Sequence, residues 1–215
     1  MNNNITRIVL TGGPCAGKTT TMAKVIEHFS ARGYKVFAIP EIPTIFTQAG
    51  MNYLTPNKEY FFAGEKGTLE IQMLFEDRFY DMAKTFDEPV LIVGDRGTMG
   101  ISSYMKPEDW QHLLSLLGTS DTELLGRYEA IIHLKSAAQG AEQYYTLATN
   151  AQRYETADEE GLRIARMLDD NELKAWMPHP YHRIIETNDD FEQKMLIFKY
   201  NKELGKMGVA IMDED

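Results

Sequence analysis

One cysteine, Cys15, stands among the 215 residues. No internal disulfide can form, and a reducing cytoplasm is the expected compartment. Basic residues are in deficit: 22 Lys and Arg face 32 Asp and Glu, for a formal charge of −10. General nucleic-acid binding rests on Lys and Arg neutralising phosphates, so that balance argues against it. It leaves room for a local basic pocket that takes a small phosphate ligand. Long hydrophobic runs are missing as well. Stretches such as Val90–Val93 fall far short of the roughly 20 residues that cross a bilayer, so no membrane insertion is expected. The opening Met-Asn-Asn-Asn has none of the basic-then-apolar layout of a secretory leader. No repeat, low-complexity tract or linker interrupts the chain. What is present is ordinary for a globular protein, with 43% hydrophobic and 25% charged residues. The length suits a single domain over residues 1–215.

Short apolar runs alternate with longer helical patterns, which reads as α/β with a parallel sheet. The runs are Arg7–Leu10, Lys35–Ile39, Val90–Val93, Ala130–Leu134 and His182–Glu186. After the first, Met22, Val25, Ile26 and Phe29 mark one helical face, ended by Gly33. Residues 43–64 show little periodicity and read as an aromatic-rich loop with Phe46, Tyr53, Tyr60, Phe61 and Phe62. A helix is expected from about Glu65 to Phe86, its buried face being Ile71, Leu74, Phe75, Phe79 and Met82. Pro107 opens another, which runs to Gly118. Ser120 with Glu123, and Thr156 with Glu159, have capping-box spacing. A last helix is expected from Asn188 to Gly205.

The strongest signal is Gly12-Gly13-Pro14-Cys15-Ala16-Gly17-Lys18-Thr19, which matches G-x-x-x-x-G-K-[ST] between a strand and a helix. Glycines let the backbone curl around an anion, and the helix N-terminus adds partial positive charge. Nucleotide contacts are expected from Gly12 through Lys18, and from Thr19 and Thr20. Lys18 reaches the β- and γ-phosphates, and the Thr19 hydroxyl ligates Mg²⁺. Cys15 reads as a small filler within the loop.

Two acids end strands. Asp95 follows Val-Leu-Ile-Val-Gly, where P-loop proteins keep a Mg²⁺-holding carboxylate; the other reading is a turn cap. Arg96 beside it is placed to meet a phosphoryl group or the acceptor. Glu41 ends the second strand, where ligands of open α/β sheets gather. It is either the base for an acceptor hydroxyl or a loop acid paired with Arg96. One of Phe46, Tyr53 and Tyr60 is expected to line the acceptor pocket by stacking. A lid-like segment spans about residues 136–156, with Arg153 its best candidate to close on the γ-phosphate. Arg163 and Arg166 read as a solvated face with intrahelical pairs. His179-Pro180-Tyr181-His182 reads as a turn rather than a metal site. An Asp-Arg pair in place of Asp-Glu, with no length left for a helical lid domain, argues against a remodelling motor.

Together T-G-G-P-C-A-G-K-T-T, I-P-E, D-R-G, N-A-Q-R-Y-E and W-M-P-H-P-Y resemble a family of AAA domains. That family joins the ribosylnicotinamide kinase domain of NadR with animal translocation-defect GTP-binding proteins. The resemblance runs from about Arg7 to Gly205. It implies a P-loop NTPase of nucleoside-kinase type with five parallel strands in order 2-3-1-4-5. It also implies nucleotide and Mg²⁺ roles for Lys18, Thr19 and Asp95, and an R-x-E element at Arg153 and Glu155. Glu41 with Asp95-Arg96 resembles the arrangement of deoxynucleoside kinases. One departure stands out: the family often carries an acid three residues after D-R-G, and here that position is Gly100.

The expected function is an ATP- and Mg²⁺-dependent phosphotransferase acting on a small nucleoside-like acceptor. The alternative is a binding protein switched by GTP or ATP with slow hydrolysis, to which the animal relatives point. Against a Ras-like version, neither Asn57-Lys58-Glu59-Tyr60 nor Asn201-Lys202-Glu203-Leu204 completes N-K-x-D, and Asp95-Arg96-Gly97-Thr98 is not D-x-x-G.

Overall fold

The computed structural model describes residues 5–140, 142 and 158–186. Five strands form one parallel sheet: β1 (Ile5–Thr11), β2 (Lys35–Ile39), β3 (Val90–Asp95), β4 (Ala130–Leu134) and β5 (His182–Ile185). Their order is β2-β3-β1-β4-β5, as the resemblance implies. The register pairs Ile8 with Val93 on one side and with Ala130 on the other. The central strands are buried on both faces, which is why they read as unbroken apolar runs. Alternation still sorts their side chains. Ile8 and Leu10 join Val25 and Phe29 of α1 (Lys18–Ser30) on one face. Val9 and Ile131 meet Leu69, Trp110, Leu113 and Trp176 on the other.

Helices α2 (Ile42–Gln48) and α3 (Lys58–Ala83) occupy most of the stretch that reads as loop. Apolar periodicity is weak there for two reasons. Helix α2 spans only seven residues, and α3 opens with exposed Lys58, Glu59 and Tyr60 and part-buried Phe61 and Phe62 after an Asn57 cap that accepts from Tyr60 N–H. The buried face of α3 is also corrected. Leu74 and Met82 are 44% and 43% exposed, and the buried stripe is Glu65, Thr68, Leu69, Gln72 and Glu76. Thr68, Gln72 and Glu76 can sit in that stripe because each is hydrogen-bonded. Glu76 accepts from Gln72 Nε2 at 2.7 Å, Tyr128 Oη at 2.6 Å and Arg127 Nε at 2.6 Å. Phe75 and Phe79 pack instead at the β2–β3 edge.

Past β3, a 3₁₀ helix over Met99–Tyr104 leads to α4 (Pro107–Leu117) and α5 (Asp121–Leu125). Ser120 caps α5 from Glu123 N–H. Helix α6 (Glu159–Trp176) is capped by Asp158, which accepts from Gly161 N–H at 2.9 Å; Thr156, the expected cap, and the expected helix over 188–205 lie outside the described residues. No described helix is long and apolar enough to cross a membrane.

Candidate functional site

Parallel strands place all their carboxyl ends on one edge of the sheet. The phosphate loop follows β1 there, Glu41 follows β2 and Asp95 closes β3. The loop is packed from behind. Gly12 has φ 133, and a Cβ on it would lie 2.0 Å from the Leu134 carbonyl oxygen, so only glycine brings the loop this close to β4. The N–H groups of Gly12 and Gly13 are spent on two carboxylates of α6: Glu172 at 2.8 Å and Asp169 at 2.6 Å. Glu172 also accepts from the Thr11 hydroxyl at 2.7 Å. Asp169 also takes Gln139 Nε2 at 2.7 Å and Ser136 N–H at 3.2 Å. These glycines therefore shape the loop. Donors for an anion are available at the start of α1, Lys18 to Thr20, where a helix has no carbonyl one turn back.

Lys18 Nζ donates to the carbonyls of Gly12 at 2.6 Å and Gly13 at 3.2 Å. Burial pushes the Asp95 carboxyl up to about 6, with Lys18 pulling the other way. Its Oδ1 is buried without a hydrogen-bond partner among the described residues. An orphaned hard oxygen at the end of β3, together with the exposed Thr19 hydroxyl at the start of α1, fits Mg²⁺, which usually takes one or two protein ligands and completes its shell with phosphates and water.

Arg96 stands at φ 70, a left-handed value that non-glycine residues rarely adopt. It is the middle of a three-residue turn closed by Gly97 N–H on the Asp95 carbonyl at 3.0 Å, a strained γ-turn. The turn aims the guanidinium across the site. It meets Glu41 at 2.5 Å, Glu172 at 3.5 Å and the Tyr104 ring at 4.7 Å. Burial works against its charge, but Glu41, Tyr104, Glu172 and Asp95 outweigh it and raise its pKa. Glu41 also accepts from the Thr44 hydroxyl at 2.5 Å. Both sequence readings of Glu41 are thus compatible with its position: it pairs with Arg96 and sits at the strand edge. Gly100 explains the departure from the family pattern. A Cβ there would lie 2.3 Å from Arg96 Cγ, so the stem of Arg96 occupies the space an acid would need.

Beside Arg96 lies a pocket of about 550 Å³, lined by Tyr53, Phe61, Tyr104, Met167 and Leu168 among others. Of the three aromatic candidates, Tyr53 reaches it. Tyr60 lies outside the lining, 42% exposed, and Phe46 packs toward Gly67 of α3. Tyr53 is fixed by a hydroxyl contact of 2.6 Å with Thr68.

Glu65, on the same helix, is a further carboxyl that sequence reading did not single out. It is 4% exposed, and burial pushes it up to about 7 with Arg96 opposing. Tyr53, pushed up to about 12 by burial, stays neutral beside it. A carboxyl with a higher pKa folded than unfolded stabilises fully below the unfolded value of 4.5 and ceases to as pH rises through 7. Wild type should therefore lose on the order of 3 kcal/mol more than the neutral isostere Glu65→Gln between pH 4 and pH 8. Urea unfolding at both pH values reads it. Equal losses in the two proteins would show that Glu65 is not buried as an acid.

The other candidates sort as follows. Arg163 pairs within its helix with Glu160, as expected. Arg166 does not. It donates to the Ala138 carbonyl at 2.6 Å and to Glu142 at 2.9 Å, tying α6 to the residues that follow β4. Ser136 Oγ, in that same stretch, donates to the Pro14 carbonyl of the phosphate loop. His179 bonds the Tyr128 carbonyl through Nε2 and accepts from Tyr181 N–H through Nδ1, so it builds a turn. Arg153 and Glu155 lie outside the described residues.

Residues 7–194 match the model of a family described as an AAA domain. No curated protein matches the sequence. Among solved structures the chain is similar to deoxyadenosine kinase from M. mycoides with bound dATP. Identity is 15% over 88% of this chain and 95% of that chain, with a TM-score of 0.54. It is also similar to shikimate kinase from Acinetobacter baumannii in complex with shikimate, at 17% identity over 90% of this chain and 92% of that chain, with a TM-score of 0.50. At such identities the likeness is one of fold, that of the P-loop kinases.

Proposed function

The chain belongs to this AAA-domain family, and from that premise we propose that it transfers the γ-phosphoryl group of ATP to a hydroxyl of a small nucleoside-like acceptor. The kinship with the ribosylnicotinamide kinase domain of NadR is part of the same proposal. The observation that carries it is the joining of two strand-end acids, Glu41 and Asp95, around Arg96 at the mouth of an aromatic pocket.

In this reading Lys18 leaves the loop carbonyls for the β- and γ-phosphates, and the first N–H groups of α1 hold the same oxygens. Thr19 and Asp95 would hold Mg²⁺, which neutralises charge on the phosphates. Glu41 accepts the acceptor's hydroxyl proton as its oxygen bonds to the γ-phosphorus and ADP departs. Arg96 orients Glu41. Arg153 is kept as the arginine that closes on the γ-phosphate. Most of the rate then comes from positioning and charge stabilisation.

The test is a transfer assay. Protein with Mg²⁺ and ATP or GTP meets a pooled panel of nucleosides, and mass spectrometry scans for an acceptor heavier by one phosphate, with free phosphate counted in parallel. A phosphorylated nucleoside supports the reading; nucleotide binding with only slow phosphate release transfers the weight to the switch. Glu41→Gln should lower transfer by about 10²–10⁴-fold while ATP affinity stays within about twofold. Loss of both together would remove the base role.

A further inference from the structure

Within the phosphate loop, Cys15 holds φ 57, a left-handed value that a residue with a Cβ rarely adopts. Rotating the peptide plane between Pro14 and Cys15 changes ψ of Pro14 and φ of Cys15 together. Such a rotation would carry φ back toward an ordinary negative value. Outlying backbone angles persist where the surroundings over-determine them, and they gather at ligand clamps. Some contact therefore holds this plane where it is.

That contact is Ser136, whose hydroxyl donates to the Pro14 carbonyl. Pro14 has no N–H, so its carbonyl is the one backbone group by which hydrogen bonding can turn this residue. A hydroxyl has a single proton, and the rest of Ser136 is arranged to aim it. Ser136 Oγ accepts from Ala138 N–H at 3.2 Å, Ser136 N–H donates to Asp169 at 3.2 Å, and the Ser136 carbonyl accepts from Gln139 N–H at 2.9 Å. The residue is fully buried, so water does not compete for it. Its anchors are fixed in turn. Asp169 also holds Gly13 N–H, and Arg166 grips the Ala138 carbonyl.

In a planar trans peptide the carbonyl and the following N–H point in opposite directions. With the Pro14 carbonyl drawn to the wall that follows β4, the Cys15 N–H points away from that wall. Gly12 and Gly13 cannot take this part, because their N–H groups face the carboxylates of α6. We propose that Ser136 is a positioning residue for the nucleotide: by holding the Pro14 carbonyl it turns the Cys15 N–H toward the phosphates, adding a donor to those at the start of α1. Ser136 itself touches no substrate. The inference rests on the loop taking a nucleoside triphosphate, and not on which acceptor follows.

The chain's one cysteine makes the test direct. Protein grown with cysteine that carries a nitrogen isotope label gives one amide signal in a proton–nitrogen correlation spectrum, that of Cys15. A non-hydrolysable ATP analogue with Mg²⁺ should move that amide proton downfield, the mark of a hydrogen bond to a phosphate oxygen. In Ser136→Ala the displacement should fall by about half or more, and the analogue should bind about tenfold more weakly, the scale of one hydrogen bond to a charged group. Alanine fits the space that serine leaves, and circular dichroism checks the fold. Thr85→Val deletes a hydroxyl-to-carbonyl bond just past the end of α3 and should leave both readouts at wild-type values. A wild-type Cys15 signal that ignores the analogue overturns the inference, whatever the variants do. So does a folded Ser136→Ala protein with wild-type displacement and affinity. Parallel transfer assays separate the two levels. A phosphorylated acceptor with an unresponsive Cys15 amide keeps the kinase and removes this inference; a responsive amide that Ser136→Ala silences, without any phosphorylated acceptor, removes the kinase and keeps the inference.

Discussion

Lys18→Ala should lower kcat/KM for phosphoryl transfer by on the order of 10³-fold, the scale seen when one preorganised charge-stabilising donor is lost from a transition state. The fold should hold. Lys18 makes two hydrogen bonds, both to carbonyls of its own loop, and each contributes about 1 kcal/mol. Both bonds are part-buried, at the Lys18 side rather than in the sheet core. A loss of about 2 kcal/mol moves the melting temperature of a domain this size by roughly 4–8 °C. Circular dichroism and the mass-spectrometric assay on the same preparation decide the matter. A folded Lys18→Ala protein that keeps a tenth of wild-type transfer would mean that the loop does not deliver the phosphoryl group.

Glu172→Ala should instead be a stability mutant. Its carboxylate is fully buried, and it gathers the Thr11 hydroxyl, the Gly12 N–H and the Arg96 guanidinium. Truncation leaves all three to find new partners in a site water barely reaches. Removing one partner of a buried charged network costs about 3–5 kcal/mol, or roughly 6–20 °C in melting temperature. Glu172→Gln keeps one carbonyl oxygen for Thr11 and Gly12 and should cost less than half as much. Thermal melts of the two variants test this. Equal and small losses would mean that the loop is held by its own backbone and not by α6.

Much of this architecture was legible in the residues, but unevenly. Lys35–Ile39 and Ala130–Leu134 stand in the structure with the bounds their apolar runs suggest. The phosphate loop was legible because its fixed residues sit between a strand and an amphipathic helix. What escaped were the buried acids. Asp169 and Glu172 were not singled out on a helix rich in acids, yet Gly161, Ala165, Leu168 and Trp176 trace a buried stripe through which they run. That pattern was a usable signal: an acid in phase with an apolar stripe needs a donor across the interface. Glu65, Gln72 and Glu76 on α3 failed to read as core for the same reason. Hydropathy counts polar atoms as if unpaired, and only the tertiary fold supplies Arg127 and Tyr128. The arginine expected to close on the γ-phosphate is a different case, since Arg153 lies outside the described residues.

The contact between Gly100 and the stem of Arg96 bears on inheritance. Where a relative carries an acid at that place, its arginine cannot thread the same space, and the bridge to Glu41 must be built another way. Two members of one lineage can then share loop, sheet and strand-end acids while differing in how the proton acceptor is oriented. A glycine that looks like the loss of a functional group is here the condition for this arginine's pose, since its missing side chain is the space the stem of Arg96 fills.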